Sequence, residues 1–502
     1  MKRKPIALIS VSDKTGLKEF VRGLIDLGYT IISTGGTRSY LKKNGINSIK
    51  VSDYTGRPEI LDGRVKTLHP KIHAGLLARK DHSEELKKLD IPRIDLVCCN
   101  FYPFEKVLKN DPGNDRGIIE NIDIGGVAII RGAAKNFKNV IVVSSPGQYE
   151  ETLKNLSSGG FTQKLRRAYA ARAFKLTSAY DRKIERYFSG NTAESSAGEI
   201  NIKLEKKMDL RYGENPHQKA ALYGDIPFKK LAGEKELSFN NIYDLNAAVN
   251  IVKSFENRPC AAVIKHAVPC GAAVAGNIEK AYIRALEADS MSAFGGIVGL
   301  NRPPTPDTAE KITEHFFEVV TAPGFSGEVL DILKRKKNLR IIKYELFTQE
   351  KDYRKVAGGL LVQDYDSFTS NNWKTATVKK PTGDELGNLE FAWKVVRFLR
   401  SNAVAIVGDM QTKGLGAGET ARVGAVDVAV VKLKQFFPQK KSGLVMASDA
   451  FFPFPDAVQK AAAAGVTAIV QPGGSKNDSK VIEAADELGI SMVLTGRRHF
   501  LH

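Results

Sequence analysis

The sequence predicts an α/β protein whose N-terminal part is a doubly wound parallel sheet, and three observations carry that expectation. Strand-like apolar runs alternate with helical repeats from Pro5 onward, glycines fall where each helix should stop, and loops rich in hydroxyls and glycine recur at strand ends. Residues 5–11 (Pro-Ile-Ala-Leu-Ile-Ser-Val) read as a buried strand. Asp13 can cap the next helix, in which Leu17, Phe20, Val21, Leu24 and Ile25 recur at helical spacing, and Gly28 supplies the stop. Tyr29–Ser33 returns as a strand, the rhythm repeats through Gly35-Gly36-Thr37 to Gly45, and Ile94–Tyr102 and Val140–Ser144 add further strands. A long helix is expected over Leu165–Phe188, followed by a polar, small-residue stretch, Ser189–Gly198, of linker composition. Near the C-terminus, Asp456–Ala464, Val466–Val470, Lys480–Leu488 and Ile490–Leu494 give a second helix-strand-helix-strand run.

Bulk properties narrow the class. A chain of 502 residues exceeds one ordinary hydrophobic core, so two to four domains are expected. The longest nearly apolar run, Ala461–Val470, is far short of a membrane span, and the basic N-terminus runs straight into a strand. A cytoplasmic protein with no membrane partner is expected. Four cysteines (Cys98, Cys99, Cys260, Cys270) are too few for a disulfide framework and read as reduced, buried thiols. The net charge of +19 suits nucleic acid or small polyanions equally. The basic residues are spread out, with only short clusters such as Lys334-Arg335-Lys336-Lys337, and no aromatic residues interleave them in an RNA-binding pattern. Small anionic substrates are therefore expected, and nucleic acid is not.

Ser10-Val-Ser-Asp-Lys-Thr-Gly16 lies between a strand and a helix start, as a phosphate cradle or as a plain capped turn. Ser33-Thr-Gly-Gly-Thr37 repeats the arrangement after the next strand, and two such loops at one sheet edge favour a phosphorylated ligand. The loop Gly63-Arg-Val-Lys-Thr-Leu-His-Pro70 suits anion binding. Its His69 and His73 lack the glutamate and third ligand of a zinc site. Asn100–Phe104 ends a strand and Asp123-Ile-Gly-Gly126 precedes a helix carrying Lys135. Further on, Arg211–Gln218 is dense in hydrogen-bonding groups, and Lys265-His266 ends an apolar run as a pair able to supply a base and an oxyanion stabiliser. Gly414-Leu-Gly416-Ala-Gly418 falls out of register with a dinucleotide fingerprint and reads as a glycine-rich turn near substrate. Pro259-Cys260 and Pro269-Cys270 lack the second cysteine of a zinc deaminase. The segment Ser448–Asp456 carries three phenylalanines, as an aromatic wall or as a proline-bent piece of core.

Read in order, these strings resemble the AICAR transformylase/IMP cyclohydrolase family over nearly the whole chain. The carriers are SVSDKTG (10–16), STGGT (33–37), GRVKTLHP (63–70), CNFYPF (99–104), IDIGG (122–126), AAKN (133–136), RYGENPHQ (211–218), MSAFGG (291–296), LRSNA (399–403), SDAFFPF (448–454) and TGRRHFLH (495–502). The resemblance implies a methylglyoxal-synthase-like cyclohydrolase domain (1–190), a linker (191–206), and a transformylase region of two cytidine-deaminase-like α/β units (207–365 and 366–502). It implies late purine biosynthesis: formyl transfer from 10-formyltetrahydrofolate to AICAR, then ring closure of FAICAR to IMP. It implies a homodimer and no catalytic metal, with room for a structural monovalent cation. Lys265 and His266 would serve formyl transfer. Arg211, Tyr212, His217, Asn240, Asn402, Arg422, Phe452 and Arg498 would meet AICAR or the reaction, and Asp449 the folate. In the N-terminal domain Ser10, Ser12, Lys14, Ser33, Gly36, Thr37, Arg64 and Thr67 match nucleotide-binding positions, and Lys66, Tyr102, Asp123 and Lys135 match those handling ring closure.

The chain departs from the family pattern at Val268, Arg400 and Glu419, where a polar residue, a lysine and a glutamine-type string are usual. An added carboxylate near a phosphate would repel it. These departures define an alternative: a cyclohydrolase whose transformylase part is weakened or uses another formyl donor. A nucleotide- or RNA-binding protein without turnover, and a nicotinamide dehydrogenase, are the other readings. The two constellations of reactive Lys, His and Asp argue against the first of these, and the out-of-register glycine loop against the second.

Overall fold

The computed structural model describes residues 3–102, 104–189, 200, 202–348, 350–368 and 373–502. It divides into two compact units, Met1–Asn201 and Ile202–His502. Most of the segment expected as a linker lies outside the described residues. No helix among the described residues is long and apolar enough to cross a membrane.

The first unit is built on five parallel strands, β1 (Ile6–Ser10), β2 (Thr30–Ser33), β3 (Ile49–Lys50), β4 (Leu96–Cys99) and β5 (Ile141–Val143), in the order β3-β2-β1-β4-β5. Strands buried on both faces carry unbroken apolar runs, and Ala7, Leu8, Ile9, Leu96, Val97 and Val142 are all fully buried. Leu17, Phe20, Val21 and Leu24 face this sheet from helix Leu17–Asp26, as their spacing predicts, whereas Ile25 is exposed. The long helix Gln163–Phe188 buries Tyr169, Ala170, Ala173, Thr177 and Tyr180, a stripe at intervals of three to four. Strand order reverses about β1, so the ends of β1, β2 and β4 border the crevice where open α/β sheets bind ligands.

The second unit contains one sheet of twelve strands that repeats a single plan. Its first half has β8 (Phe228–Ala232), β9 (Cys260–Lys265), β10 (Val268–Val274), β11 (Ile297–Leu300), β12 (Val319–Ala322) and β13 (Arg340–Tyr344). Its second half has β16 (Lys374–Thr375), β17 (Val404–Gly408), β18 (Gln411–Gly416), β19 (Leu444–Ser448), β20 (Val466–Gln471) and β21 (Ser491–Leu494). The order β16-β21-β20-β19-β17-β18-β10-β9-β11-β12-β13-β8 reads the same plan outward from its centre. Each half runs helix, antiparallel hairpin, then three helix–strand pairs, starting from helix Phe239–Lys253 or helix Gly383–Val396. The halves meet where β10 and β18 register at Ala273↔Gln411; there Val274 N–H donates to the Met410 carbonyl at 2.9 Å and the Thr412 hydroxyl bonds both the N–H and the carbonyl of Ala272. Two ribbons stand apart from this sheet: β6 (Lys206–Leu210) with β7 (Ala220–Tyr223), and β14 (Lys351–Val356) with β15 (Gly359–Asp364).

Candidate active sites

In the first unit, the loop after β1 is fixed from both neighbouring strands. Asn100, just past β4, accepts from the N–H groups of Ser12 (2.7 Å) and Asp13 (2.9 Å) and donates to the Asp13 carbonyl. From the other side, the buried Thr37 hydroxyl accepts from Val11 N–H at 3.0 Å and donates to its carbonyl. Ser33 is fully buried and shares a hydrogen bond with Ser48. Thr37 and Ser33 therefore hold the crevice from within. Ser10, Ser12, Lys14 and the Gly35-Gly36 start of helix Gly35–Lys43 stand at the crevice, where helical N–H groups lack intrahelical partners.

The Asp123-Ile-Gly-Gly string has a steric explanation. A Cβ on Gly125 would lie 2.4 Å from the Thr67 hydroxyl, and one on Gly126 would lie 2.7 Å from the Asp123 carboxylate. Glycine at both positions lets buried Thr67 and the Asp123 carboxylate close on the start of helix Gly125–Lys135. There Asp123 accepts from Gly126 N–H at 2.7 Å. Burial lifts the Asp123 carboxyl above the ordinary carboxylate range, against the pull of the Gly126 N–H and Lys66. The Lys66 ammonium lies 5.9 Å from the ring centroid of Tyr102. Lys66, Tyr102 and Asp123 thus form one group. Arg64 is turned to a bidentate ion pair with Glu120. Lys135 closes the far end of the helix, ten residues and about 15 Å along from Gly125. It borders a groove with His73, Arg131, Arg167 and Phe174, apart from the other three groups. His69 accepts from Lys71 N–H as a helix cap. Among the described residues no set of His, Cys, Asp and Glu side chains is placed to hold a metal ion.

In the second unit, Lys265 ends β9 and donates to the Phe294 carbonyl at 2.9 Å, while His266 is exposed in the hairpin turn. By register, the Lys265 end of β9 lies at the same sheet edge as the starts of β17 and of helix Arg422–Phe436. Asn402 and Arg422 stand there. The buried Arg422 guanidinium donates to Ser448 Oγ (2.7 Å), Asn402 Oδ1 (2.7 Å) and Asp449, whose second oxygen accepts from Ser401 at 2.5 Å. Asp449 is fully buried and paired, so it is a support for Arg422 here and does not face solvent. Arg211 lies over the ring of Tyr212, Asn240 donates to the Glu214 carbonyl, Arg498 lies over Phe500, and His217 is exposed.

Comparison with known proteins follows this division. The model of the AICARFT/IMPCHase bienzyme family matches residues 133–432, and that of the MGS-like domain matches residues 16–128. The bifunctional purine biosynthesis protein PurH of Thermoanaerobacter sp. (strain X514) is 48% identical over 510 residues, covering 99% of each chain. Its namesake from Bacillus mycoides (strain KBAB4) is 46% identical, covering 99% of this chain and all of the relative. The namesake from Persephonella marina is 47% identical, covering 99% of each. The chain belongs to the AICARFT/IMPCHase bienzyme family. It is a bifunctional enzyme of purine biosynthesis that joins AICAR formyl transfer to IMP cyclohydrolase activity.

Against that family background, several sequence expectations are corrected. Phe452 is fully buried in the core with Val404, Ile406 and Val458, and only Phe451 and Phe454 are exposed, so no wall of three rings forms. Two of the three glycines of the string lie in a strand and not in a turn; only Gly418, at φ 74°, is in the loop beyond it. Gly414 and Gly416 lie in β18, where a Cβ would sit 2.0 Å and 1.9 Å from the carbonyls of Ala429 and Ala425. They let strand and helix backbones touch. Glu419, one of the departures from the family pattern, places its carboxylate beside Gly424 in the first turn of helix Arg422–Phe436, where the helix end favours an anion. Val268 packs against the core. Residues passed over in the sequence also emerge. Tyr180 accepts from Asp123 N–H at 2.8 Å, and Glu318 binds both Asn241 and buried Arg340. Nothing in their local sequence distinguishes them, because each acts across a long chain separation.

Proposed function

We propose that the unit Met1–Asn201 closes FAICAR to IMP and that the unit Ile202–His502 transfers the formyl group from 10-formyltetrahydrofolate to AICAR. The observation that carries this reading is the presence of one compact group of reactive side chains in each unit. In ring closure, the carboxamide nitrogen attacks the formyl carbon, a C–N bond forms, and water leaves from the resulting carbinol. Asp123, raised by burial, and Lys66 are suited to move those protons, with Tyr102 beside them. Ser10, Ser12, Lys14 and Gly36 hold the phosphate at the crevice, and Arg64 joins once it leaves Glu120. Ser33, Thr37 and Thr67 support those loops. Lys135, at the far end of its helix and apart from these groups, is given no proton to move in this step.

In formyl transfer, the amine of AICAR attacks the formyl carbon, the bond to the folate nitrogen breaks, and one proton moves from amine to leaving nitrogen. His266 takes the proton and Lys265 steadies the oxyanion or protonates the leaving nitrogen. Arg211, Tyr212, His217, Asn240, Asn402, Arg422 and Arg498 line the AICAR side, with Asp449 and Phe452 as supports. The reading includes a homodimer that completes the transformylase sites. Met291 and Phe294, 71% and 67% exposed beside the Lys265 contact, and the exposed Leu360 and Leu361 of the β14–β15 ribbon suit a covered face. It also includes a cytoplasmic location, with which four buried, unbridged thiols agree. A structural monovalent cation takes part in none of these steps.

The test is a pair of single variants assayed for both reactions. Lys265→Ala is expected to abolish formyl transfer and keep ring closure of supplied FAICAR, and Lys66→Ala is expected to do the reverse. Loss of both activities in either folded variant would contradict two independent sites.

A further inference from the structure

The two halves of the twelve-stranded sheet meet the same turn problem in two ways. Each antiparallel hairpin closes with a two-residue turn in which both residues are left-handed. These are His266 (φ 55°) and Ala267 (φ 59°) between β9 and β10, and Asp409 (φ 54°) and Met410 (φ 58°) between β17 and β18. Turns of this hand favour glycine, asparagine and aspartate, because only small or self-bonding side chains accept positive φ easily. No glycine occupies any of the four positions.

In each half a side chain from the preceding helix compensates, and it stands at the same place in both. Asp244 follows the first residue of helix Phe239–Lys253 by five positions, as Asn388 follows the first residue of helix Gly383–Val396. The Asn388 amide has one acceptor oxygen, which takes Met410 N–H at 2.7 Å. The Asp244 carboxylate has two, which take His266 N–H at 3.1 Å and Ala267 N–H at 2.6 Å. In the second copy the helix supplies one acceptor, and the turn is held besides by Arg284 on the Asp409 carbonyl and Lys440 on the Asp409 carboxylate. The extra bond in the first copy falls on the residue that carries the imidazole. Among the described residues, no hydrogen bond holds the His266 ring itself, so its place is set by its backbone.

We propose that Asp244 is a positioning residue for formyl transfer: its carboxylate locks the His266–Ala267 turn so that the imidazole stands ready beside Lys265. The inference rests on the role given to His266 above.

The experiment is Asp244→Asn in the full chain, which leaves one acceptor, as in the second half. Formyl-transfer kcat is expected to fall about tenfold or more, since small misplacements of a reacting group are costly. KM for AICAR stays within about twofold, and ring closure is unchanged. Adding Ala267→Gly, which removes the cost of positive φ at one turn position, is expected to restore part of the lost kcat. Should Asp244→Asn not fold, Asp244→Glu, which keeps the charge but displaces both acceptors, is read in the same way. An unchanged kcat, a change confined to KM, or no recovery with Ala267→Gly would each overturn the proposal. His266→Ala is the control. If it leaves formyl transfer intact, the reading of His266 itself fails, an outcome distinct from a silent Asp244 variant beside an inactive His266 variant.

Discussion

At the scale of single residues, burial decides which polar groups react and which hold others in place. Asp123 is half-buried, and its carboxyl is raised above the usual range chiefly by desolvation. As pH rises, the unfolded chain loses this proton first, so the folded state is penalised relative to the unfolded one. The stability linked to the neutral carboxyl is full below the ordinary carboxylate pKa and is lost as pH rises through the folded value. Asp123→Asn, a neutral isostere, is therefore expected to abolish ring closure while raising the melting temperature of the first unit at neutral pH. That gain should vanish below about pH 3, under the ordinary aspartate pKa of about 3.9, where the native aspartate is protonated in both states. A melting series from acid to neutral pH measures it, and an Asn variant less stable than the parent at pH 7 would refute the sign. Thr37, Ser33 and Asp449 show the converse. Their side chains resemble ligand-binding groups in the sequence, yet each is buried and bound within the fold.

At the scale of elements, close backbone approach explains the glycine strings better than ligand binding does. Gly414 and Gly416 bring β18 against helix Arg422–Phe436, whose first residue is the arginine that organises Asn402, Ser448 and Asp449. A methyl group at Gly416 would lie 1.9 Å from the Ala425 carbonyl oxygen, so the helix must move. Gly416→Ala is expected to destabilise the second unit by about 3 kcal/mol or more, at or above the usual cost of overpacking. Formyl transfer should fall with it while the first unit still closes FAICAR. Denaturant melts with separate assays of the two reactions check this. Elements were also the most legible part of the sequence. The helices at 17–26 and 163–188 and the strands at 6–10 and 30–33 lie within a few residues of the spans their periodicity predicts. That legibility has a local cause: side chains three to four apart share a helical face, and strands buried on both sides carry unbroken apolar runs.

At the scale of the whole molecule, the excess of 75 Lys and Arg over 56 Asp and Glu is a field acting on anionic substrates. Raising ionic strength from about 0.05 M to about 0.5 M shortens the screening length severalfold. KM for AICAR and for FAICAR is expected to rise with little change in kcat, and a salt-independent KM would remove any steering role for the charge. The duplication of the second unit is also a property of the whole. Two copies of one plan meet at β10 and β18, and only one copy carries Lys265 and His266 at its turn. The other ends its hairpin in Asp409 and Met410, with Asn388 where the first has Asp244.

The sequence by itself determined the alternation of elements, the two sets of reactive side chains and the family, because these rest on local periodicity and on long, unusual strings. Tertiary structure alone decided that Phe452 is core, that Lys135 stands about 15 Å along its helix from the Asp123 end, and that Glu419 lies at a helix start. It alone brought Asp244 to the His266 turn and Tyr180 to Asp123. The reason is physical: burial and hydrogen bonding depend on which distant segments the sheets bring together, and one strand or helix carries no record of its future neighbours.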